Sequence, residues 1–270
     1  MSTPQQLPDV GLLELLKEAG LGPSVELIEK KLGINIGAIK NATDAFITVT
    51  PACITVKQEI ETLALHDDTV LIQGETGTGK EILAKALGSN RKAGRFVAVN
   101  VAAIPKELVE STLFGYSKGA FTGATVEKDG LVQHAGEGTL FLDEIGDLSL
   151  DLQAKFLRVL QDRKVRKVGG LEEEEVKCRF VTASHFELFD LVKDKVFRLD
   201  LYARLSTFIV RIPPLRDRLA DVSAIMQSIE PTFPVKDIDW SRVDLSLNVR
   251  SLQQIARRYK VLGQKPNYIK

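Results

Sequence analysis

Short, largely apolar segments alternate with segments of helical period through the middle of the chain. The apolar segments are expected to be strands and lie at residues 69–73, 96–99, 139–142, 179–182 and 208–212. Helices are predicted at residues 56–65, 82–87, 106–113 and 150–161. Continuous apolar strands separated by helices indicate a parallel sheet covered on both faces. The pattern therefore predicts an α/β fold with a parallel five-stranded sheet flanked by helices.

Helical periodicity without strands marks both ends of the chain. Apolar residues recur at helical spacing from residue 9 to about 36, and Gly20-Leu21-Gly22-Pro23 divides that region into two short helices. Residues 37–50 are expected to connect it to the main domain. Pro213-Pro214 ends the fifth strand, and from Leu219 onward the pattern is helical. We therefore predict an N-terminal helical extension at 1–45, an α/β domain at 46–215 and a small α-helical lid domain at 216–270.

Composition and charge are those of an ordinary soluble protein. The 270 residues include 36 basic and 36 acidic side chains, so the formal net charge is zero, which argues against coating nucleic acid through a broad basic field. Mixed charges on the N-terminal helices favour a packing or oligomer-forming extension over a DNA-reading helix-turn-helix. Residues 172–175, all glutamate, are interpreted as a solvated turn.

The cysteines and the N-terminal sequence indicate a cytoplasmic protein. Cys53 and Cys178 lie far apart and lack the spacing of a metal-binding pair, so free thiols in a reducing compartment are expected. The N-terminus has neither the basic flank nor the apolar centre of a signal peptide. No apolar run is long enough to span a bilayer, so no membrane contact is expected.

A glycine-rich segment, GETGTGKE, follows the first strand and opens the next helix. In that context the pattern G-x-x-x-x-G-K predicts a phosphate-binding loop, whereas the alternative is a glycine-rich turn with an accidental lysine. Backbone N–H groups would surround a phosphate, with Lys80 as a point charge against the outer phosphates. A Glu at position 81, where Ser or Thr would usually bind magnesium, puts direct metal contact from the loop in doubt. The predicted nucleotide-binding residues here are Gly74, Glu75, Thr76, Gly77, Thr78, Gly79, Lys80 and Glu81.

A second candidate for chemistry is the acidic pair Asp143-Glu144, which ends the strand at 139–142. In an open α/β sheet the ligand lies at the carboxyl ends of the strands. Asp143 is therefore predicted to hold Mg²⁺ directly or through water, and Glu144 to orient and polarise the attacking water. Asn100 closes the neighbouring strand and could hold Glu144 away from the water, or it could be a plain strand-end cap. Asp143 alone could likewise be a helix cap.

Further segments occur in a fixed order along the chain: ESTLFGYSKGAFTGA (110–124), GTLFLDEIGDLSLDLQAKFLRVLQ (138–161), FRLDLYARL (197–205), IVRIPPLRDR (209–218) and NVRSLQQ (248–254). With GETGTGKE they resemble the AAA+ domain of bacterial enhancer-binding proteins, the ATP-driven activators of sigma-54 RNA polymerase, over about residues 46 to 262. The resemblance implies an AAA+ P-loop NTPase with a helical lid that hydrolyses ATP with Mg²⁺. It also implies a homo-oligomeric ring, expected to be hexameric, and in that family Glu routinely follows the loop lysine.

The hexapeptide GAFTGA is the proposed partner-binding element, with Gly119 and Gly123 as hinges around an aromatic tip. Small residues around one exposed aromatic suit a mobile contact loop, although a Phe tucked into the core would fit the pattern too. The resemblance implies that this loop grips sigma-54 in the polymerase holoenzyme. A turn near residues 166–175 falls where the family carries a second pore-facing loop. The partner-binding residues are Gly119, Ala120, Phe121, Thr122, Gly123 and Ala124.

The resemblance also assigns roles to three arginines and a histidine. Arg198 and Arg204 match arginines that reach a neighbouring subunit's ATP and neutralise transition-state charge, although they could equally be exposed helix residues. Arg250 matches the nucleotide-sensing arginine of the lid. Ser184-His185 replaces the family's usual Thr-Asn, so γ-phosphate sensing by His185 is expected in altered form. Leu247 also departs from the glycine usual at that position.

The ends of the chain leave the function open in part. The sequence shows neither a receiver domain nor a C-terminal helix-turn-helix, so DNA contact is expected only indirectly or through a partner. The leading hypothesis is a ring ATPase that remodels sigma-54 RNA polymerase. The alternatives are an AAA+ ATPase acting on a different protein or DNA-processing client, and a nucleotide-gated scaffold that hydrolyses ATP poorly.

Overall fold

The computed structural model describes residues 36–90 and 94–266 of the chain. The two helices predicted between residues 9 and 36 lie outside the described residues, apart from the last position. The strands are β1 (Val70–Gln73), β2 (Phe96–Asn100), β3 (Thr139–Asp143), β4 (Lys164–Arg166), β5 (Glu173–Glu175), β6 (Arg179–Ser184) and β7 (Phe208–Arg211). The helices are α1 (Ile36–Asp44), α2 (Pro51–Leu63), α3 (Lys80–Gly88), α4 (Lys106–Phe114), α5 (Leu131–Ala135), α6 (Leu150–Asp162), α7 (Leu188–Lys193), α8 (Leu199–Leu205), α9 (Ala220–Ile229) and α10 (Val249–Leu262).

Five of the strands form one parallel sheet in the order β2-β3-β6-β1-β7. The prediction of a parallel five-stranded sheet is therefore confirmed, and each predicted strand matches an observed one with small differences at the ends. The order places β1 and β3 on either side of β6. Their carboxyl ends, which carry the glycine-rich loop and the acidic pair, consequently open on the same edge of the sheet.

The alternation of side chains along each strand divides the core into two layers. One layer contains Leu71, Leu140 and Phe180 and is covered by α4, α5, α6 and α8. The other contains Ile72 and Phe141 and is covered by α1, α2 and α3. Because successive residues of a strand point to opposite faces, a strand buried on both faces must be apolar throughout. This explains why the strands could be recognised as unbroken apolar runs.

Residues 37–50 were expected to be a connection, and that prediction is wrong for its first half, since α1 extends to Asp44. Ile39 and Thr43, four residues apart on one helix face, are both buried, and α1 packs against α3. The Thr43 hydroxyl also donates a hydrogen bond of 2.9 Å to Glu61 of α2. Tertiary packing therefore stabilises a helix whose own apolar pattern is weak.

The acidic run was expected to be a solvated turn, and that prediction is also wrong. Residues 173–175 form β5, which pairs antiparallel with β4. Glu173 accepts a hydrogen bond of 3.0 Å from Arg166, and Lys164 lies 3.6 Å from the same carboxylate. Basic side chains on the facing strand thus offset the repulsion between the glutamates.

The part of the chain after β7 is helical, and within the described residues no strand follows Arg211. Its core is a third cluster, built around Val222, Met226, Trp240 and Leu252. The assignment of residues 216–270 as a lid, with its boundaries, stays a prediction. Within the described part of the chain, no helix combines the length and apolar composition needed to cross a membrane.

Candidate nucleotide site and client loop

The glycine-rich loop connects β1 to α3 and contains two glycines in the left-handed region. Gly77 has φ +81° and Gly79 has φ +109°, conformations that side chains disfavour. A Cβ on Gly77 would lie 2.3 Å from the carbonyl oxygen of Leu247, and one on Gly79 would lie 3.0 Å from the ring of Phe46. Both glycines are therefore required by backbone conformation and by space. The result is a turn at the N-terminus of α3, the arrangement that suits an anionic phosphate group.

Lys80 is the first residue of α3 and is 6% exposed. Its Nζ donates a hydrogen bond of 2.8 Å to the carbonyl oxygen of Gly74 and lies 3.8 Å from Oε1 of Glu144. Burial lowers the pKa of Lys80, and the carboxylates of Glu144 and Asp143 oppose that shift. A buried ammonium group in contact with a backbone carbonyl and one carboxylate is positioned to receive a more highly charged ligand.

The two carboxylates lie at the end of β3, as the sequence predicted. Asp143 is partly buried, and both burial and the neighbouring carboxylate of Glu144 raise its pKa. Oδ1 of Asp143 accepts a hydrogen bond of 3.1 Å from the backbone N–H of Glu144. Glu144 is buried and has φ +57°, a conformation that is uncommon outside glycine. The loop after β3 thus holds a carboxylate toward Lys80 at some conformational cost.

The hydrogen bonds of Glu144 go to His185, which follows β6. Oε2 of Glu144 accepts from the backbone N–H of His185 at 3.1 Å and lies 2.5 Å from Nδ1 of its ring. Asn100, the predicted holder of Glu144, instead lies opposite Asp143 in the β2–β3 register. The structure therefore brings Asn100, Asp143, Glu144 and His185 to one edge, but joins Glu144 to the histidine.

Of the other predicted site residues, Arg250 lies beside the glycine-rich loop, whereas the side chains of Glu81 and Arg198 are paired with other residues at the surface. Glu81 is exposed and pairs with Lys85 at 2.8 Å, one helical turn further along α3. The side chain of Arg250 lies beside the loop, with its Cγ 3.3 Å from the position of a Cβ on Gly77. Arg198 and Arg204 are both exposed, and Arg198 forms a bidentate pair with Asp200 at 2.7 and 3.0 Å. The roles of these residues stay predictions.

Sequence reasoning missed a set of hydrogen bonds that joins the helical segment after β7 to the glycine-rich loop. Arg216 donates two hydrogen bonds, of 2.6 and 2.8 Å, to the carboxylate of Glu75, and these bonds lower the pKa of that group. The buried amide of Asn248 donates to Glu75 and to the carbonyl oxygen of Thr76. The only available signal was the occurrence of these residues within the IVRIPPLRDR and NVRSLQQ segments.

Sequence reasoning also missed the buried ion pair of Arg218 and Asp221, which contacts the glycine-rich loop. Arg218 donates a hydrogen bond of 2.9 Å to the carbonyl oxygen of Thr78, and its guanidinium group lies 5.2 Å from the ring centroid of Phe46. Its partner Asp221 lies 3.4 Å away and is fully buried. Asp221 also accepts a hydrogen bond of 2.7 Å from the backbone N–H of Val49. The segment between α1 and α2, the glycine-rich loop and α9 are thus connected.

The GAFTGA segment is an exposed loop closed by a 2.8 Å hydrogen bond from the Gly119 N–H to the carbonyl oxygen of Ala124. Gly119 has φ +83° and Gly123 has φ +102°, and a Cβ on either would meet open space. Phe121 is 43% exposed, with its ring centroid 5.0 Å from that of Tyr116. The alternative of a phenylalanine tucked into the core is therefore wrong, because the ring is at the surface.

The base of this loop contacts the turn between β4 and β5. The backbone of Tyr116 bridges to Lys128 on one side and to Val168 on the other. Lys167 lies 2.7 Å from Asp129 and 3.4 Å from Glu174, and these carboxylates raise its pKa. Backbone bridges therefore join the base of the GAFTGA loop to the turn between β4 and β5.

Mg²⁺ is usually bound through one or two protein carboxylates together with the phosphates of the substrate. Within the described residues, no group of three or more His, Cys, Asp and Glu side chains comes together as a metal cage. Asp143 could supply the one protein carboxylate of a site in which the phosphates of the substrate provide further ligands. The donor set therefore suits a metal that arrives with a nucleotide.

The strand order, the glycine-rich loop after β1, the acidic pair after β3 and the following helical segment define an AAA+ P-loop NTPase fold. Residues 46–211 match the sequence profile of the sigma-54 interaction domain. The chain belongs to that family.

The curated relatives are bacterial regulators. The chain is 40% identical to the regulatory protein AtoC of Escherichia coli K12, over 82% of this chain and 51% of AtoC. It is 40% identical to the transcriptional regulator NtrC of Azospirillum brasilense, over 93% of this chain and 57% of NtrC. The chain thus spans about half the length of these relatives.

Two solved structures of NtrX from Brucella abortus have the same fold. The complex with ATP has a TM-score of 0.70 and 28% identity, and covers 83% of this chain and 54% of the NtrX chain. The complex with ADP has a TM-score of 0.73 and 26% identity, and the match covers 96% of this chain and 60% of the NtrX chain.

Proposed function

We propose that this chain is an ATP-hydrolysing motor that remodels sigma-54 RNA polymerase through residues 119–124. The observation that carries the proposal is the exposed side chain of Phe121, which lies on a loop between two glycines of positive φ. The same chain places Lys80 in the glycine-rich loop that is proposed to bind phosphate. Membership of the sigma-54 interaction domain family supports the same client. The NtrX complexes with ATP and ADP support a nucleotide as the ligand of the loop.

The proposed chemistry assigns one task to each side chain. Lys80 exchanges its bond to the carbonyl oxygen of Gly74 for the outer phosphates of ATP. Asp143 holds Mg²⁺, which would neutralise charge on the phosphates when bound. Glu144 orients the attacking water and polarises its O–H bond once its carboxylate leaves His185. Arg250 senses the nucleotide from the lid.

The motor is proposed to be a homo-oligomeric ring, and we expect six subunits. Arg204 supports this assembly because it is exposed, and Arg198 is exposed as well but would have to exchange its pair with Asp200 for the nucleotide of a neighbouring copy. An arginine supplied by another subunit stabilises the charge on the γ-phosphate and makes hydrolysis depend on assembly. A cytoplasmic location follows from the proposed client, and DNA contact is expected only indirectly or through a partner.

Capture of sigma-54 tests the client. The chain is incubated with sigma-54 in the presence of ADP and aluminium fluoride, a transition-state mimic of ATP. We expect the wild type and Val261→Ala, a change at an exposed apolar residue of α10, to retain sigma-54, and Phe121→Ala to lose it. ATP turnover should be kept in all three proteins. Turnover without capture by the wild type would favour the alternative of a different protein or DNA-processing client.

A further inference from the structure

The turn that precedes α10 lies directly against the phosphate loop. The backbone N–H of Val249 donates a hydrogen bond of 3.0 Å to the carbonyl oxygen of Gly77. The carbonyl oxygen of Leu247 occupies the space where a side chain at position 77 would be, 2.3 Å from its Cβ. The lid segment and the loop therefore contact each other through their backbones, and the residue between Leu247 and Val249 lies at this contact.

That residue, Asn248, has a backbone conformation that only glycine adopts readily. Its φ is +55° and its ψ is −129°, and its side chain is fully buried. A non-glycine residue persists in such a conformation when the surrounding contacts stabilise it, and residues of this kind concentrate at functional sites. The side chain of Asn248 must therefore make contacts that a glycine could not make.

The amide of Asn248 bonds to both sides of the contact. Its Oδ1 accepts a hydrogen bond of 2.6 Å from the backbone N–H of Leu215. Its Nδ2 donates to the carbonyl oxygen of Thr76 at 3.0 Å and to Oε2 of Glu75 at 3.2 Å. The orientation of the amide is set by these partners, because Leu215 offers a donor and Thr76 an acceptor.

We propose that Asn248 is a positioning residue that holds residues 75 and 76 of the phosphate loop in the shape that receives the nucleotide. The inference rests on the proposed nucleotide binding and goes beyond it. Arg216 also binds Glu75 through two hydrogen bonds, but that pair is exposed to solvent and holds the side chain of Glu75 rather than the loop backbone. The Asn248 amide is buried, so loss of its bonds leaves the loop carbonyl without a partner.

The change Asn248→Asp separates the two sides of the contact. Aspartate keeps the oxygen that accepts from Leu215, but it cannot donate to Thr76 and it places a second carboxylate beside Glu75. We expect the Kd for a fluorescent ADP or ATP analogue to rise roughly tenfold, equivalent to about 1.4 kcal/mol. The KM for ATP should rise with it, while turnover at saturating ATP stays within about twofold.

The matched control is Asp244→Asn, the reverse exchange a few residues earlier. Asp244 is exposed, and its carboxylate accepts a hydrogen bond of 2.9 Å from the backbone N–H of Ser246 rather than from the phosphate loop. We expect its Kd and KM to equal those of the wild type. An equal loss of affinity in this control would attribute the effect to the turn as a whole and overturn the assignment to Asn248.

The change Asn248→Gly separates positioning from folding. Glycine adopts the required φ without strain, which partly offsets the loss of the acceptor for the buried Leu215 N–H, so the variant should stay folded with a lowered melting temperature. Its nucleotide Kd should rise as in Asn248→Asp. Wild-type affinity in both variants would overturn the proposal, and so would the unfolding of both, which would make Asn248 purely structural. Absence of nucleotide binding by the wild type would instead refute the proposed function.

Discussion

Nδ1 of His185 lies 2.5 Å from Oε2 of Glu144, and the backbone N–H of His185 donates to the same oxygen at 3.1 Å. Lys80 lies 3.8 Å from the other carboxylate oxygen. The carboxylate proposed to orient water is thus bound by the residue that the sequence placed at the γ-phosphate sensor. We therefore expect any movement of His185 toward a nucleotide to shift Glu144 as well, because the ring Nδ1 and the backbone N–H of His185 both contact the same carboxylate oxygen.

Replacement of His185 by alanine tests this coupling. We expect His185→Ala to slow ATP hydrolysis more than it weakens ATP binding, since the imidazole contacts Glu144 and has no bond to the loop backbone. The measurements are turnover at saturating ATP and the Kd for a nucleotide analogue. His134→Ala, at an exposed histidine of α5, is the control and should match the wild type. Unchanged turnover in His185→Ala would refute a sensor role.

Removal of the charge on Glu144 should separate binding from hydrolysis. Glu144→Gln keeps the shape of the side chain and a hydrogen-bonding oxygen, so ATP should still bind. The amide cannot take up a proton, and loss of a general base typically costs on the order of 10²- to 10⁴-fold in rate. Single-turnover hydrolysis and analogue binding measure the two effects. A variant that hydrolyses ATP at the wild-type rate would exclude Glu144 from the chemistry.

Lys80→Ala should have the opposite consequence. The buried ammonium group of Lys80 contacts the carbonyl oxygen of Gly74 and lies beside the acidic pair, so its removal should abolish nucleotide binding and, with it, hydrolysis. Lys85→Ala, on the exposed face of the same helix, removes an equal charge away from the loop and should bind normally. Equal affinities of Lys80→Ala and the wild type, measured by analogue fluorescence, would contradict a phosphate site at this loop.

The sequence predicted the sheet and the loop because both follow from local patterns. The central strands β1, β3 and β6 are buried on both faces and hence largely apolar, and the positive φ of Gly77 and Gly79 favours glycine. The segment at 173–175 could not be recognised as a strand in this way. Its glutamates are stabilised by Arg166 and Lys164 on the facing strand, which only the folded chain brings close.

The contacts of Arg216 and Asn248 with Glu75 could not be predicted from the sequence for a related reason. Arg216 and Glu75 are 141 residues apart in sequence, and Asn248 and Glu75 are 173 apart. Nothing local distinguishes Asn248 from an ordinary helix-start asparagine, since its positive φ arises from the turn against the loop. The sequence likewise left Asn100 open as either a partner of Glu144 or a strand-end cap, and it gave no local sign that the bend after β6 brings His185 to Glu144.

The exposed arginines give a prediction about assembly. If Arg198 and Arg204 act on a neighbouring subunit, turnover per subunit should rise with protein concentration, and Arg198→Ala and Arg204→Ala should abolish that rise without weakening nucleotide binding. Arg242→Ala, at an exposed arginine of the helical segment, is the control. Turnover that is independent of concentration in an active wild type would contradict arginines acting between subunits.

The backbone N–H of Arg198 is held by Gln153, a fully buried residue of α6. The amide of Gln153 also donates to the carbonyl oxygen of Leu148, four residues after Glu144, and to that of Val196. The position of the arginine is thus tied to the loop that carries the acidic pair. Gln153→Leu should reduce assembly-dependent turnover while nucleotide affinity is retained, and full turnover in that variant would exclude this connection.

The buried pair of Asp221 and Arg218 predicts an acid-sensitive stability. Burial alone would raise the pKa of Asp221, but hydrogen bonds from the Val49 N–H and from the hydroxyls of Thr48 and Thr50 bring it below the usual 3.8. A carboxyl group with a lowered folded-state pKa stabilises the fold above its unfolded value and loses that contribution as the pH falls through the folded value. Its effect should therefore be complete near neutral pH and disappear well below 3.8.

The corresponding variants are Asp221→Ala and Asp221→Asn, compared with Asp237→Ala at an exposed ion pair with Lys265. Near neutral pH, Asp221→Ala should lower the free energy of unfolding by about 3–5 kcal/mol, because Arg218 is left buried without its partner. Asp237→Ala should cost about 0–1 kcal/mol. Chemical denaturation at several pH values should show the difference between wild type and Asp221→Asn narrowing in acid. A difference in unfolding free energy that stays constant with pH would show that hydrogen bonding, not the charge of Asp221, holds residues 48–50 to α9.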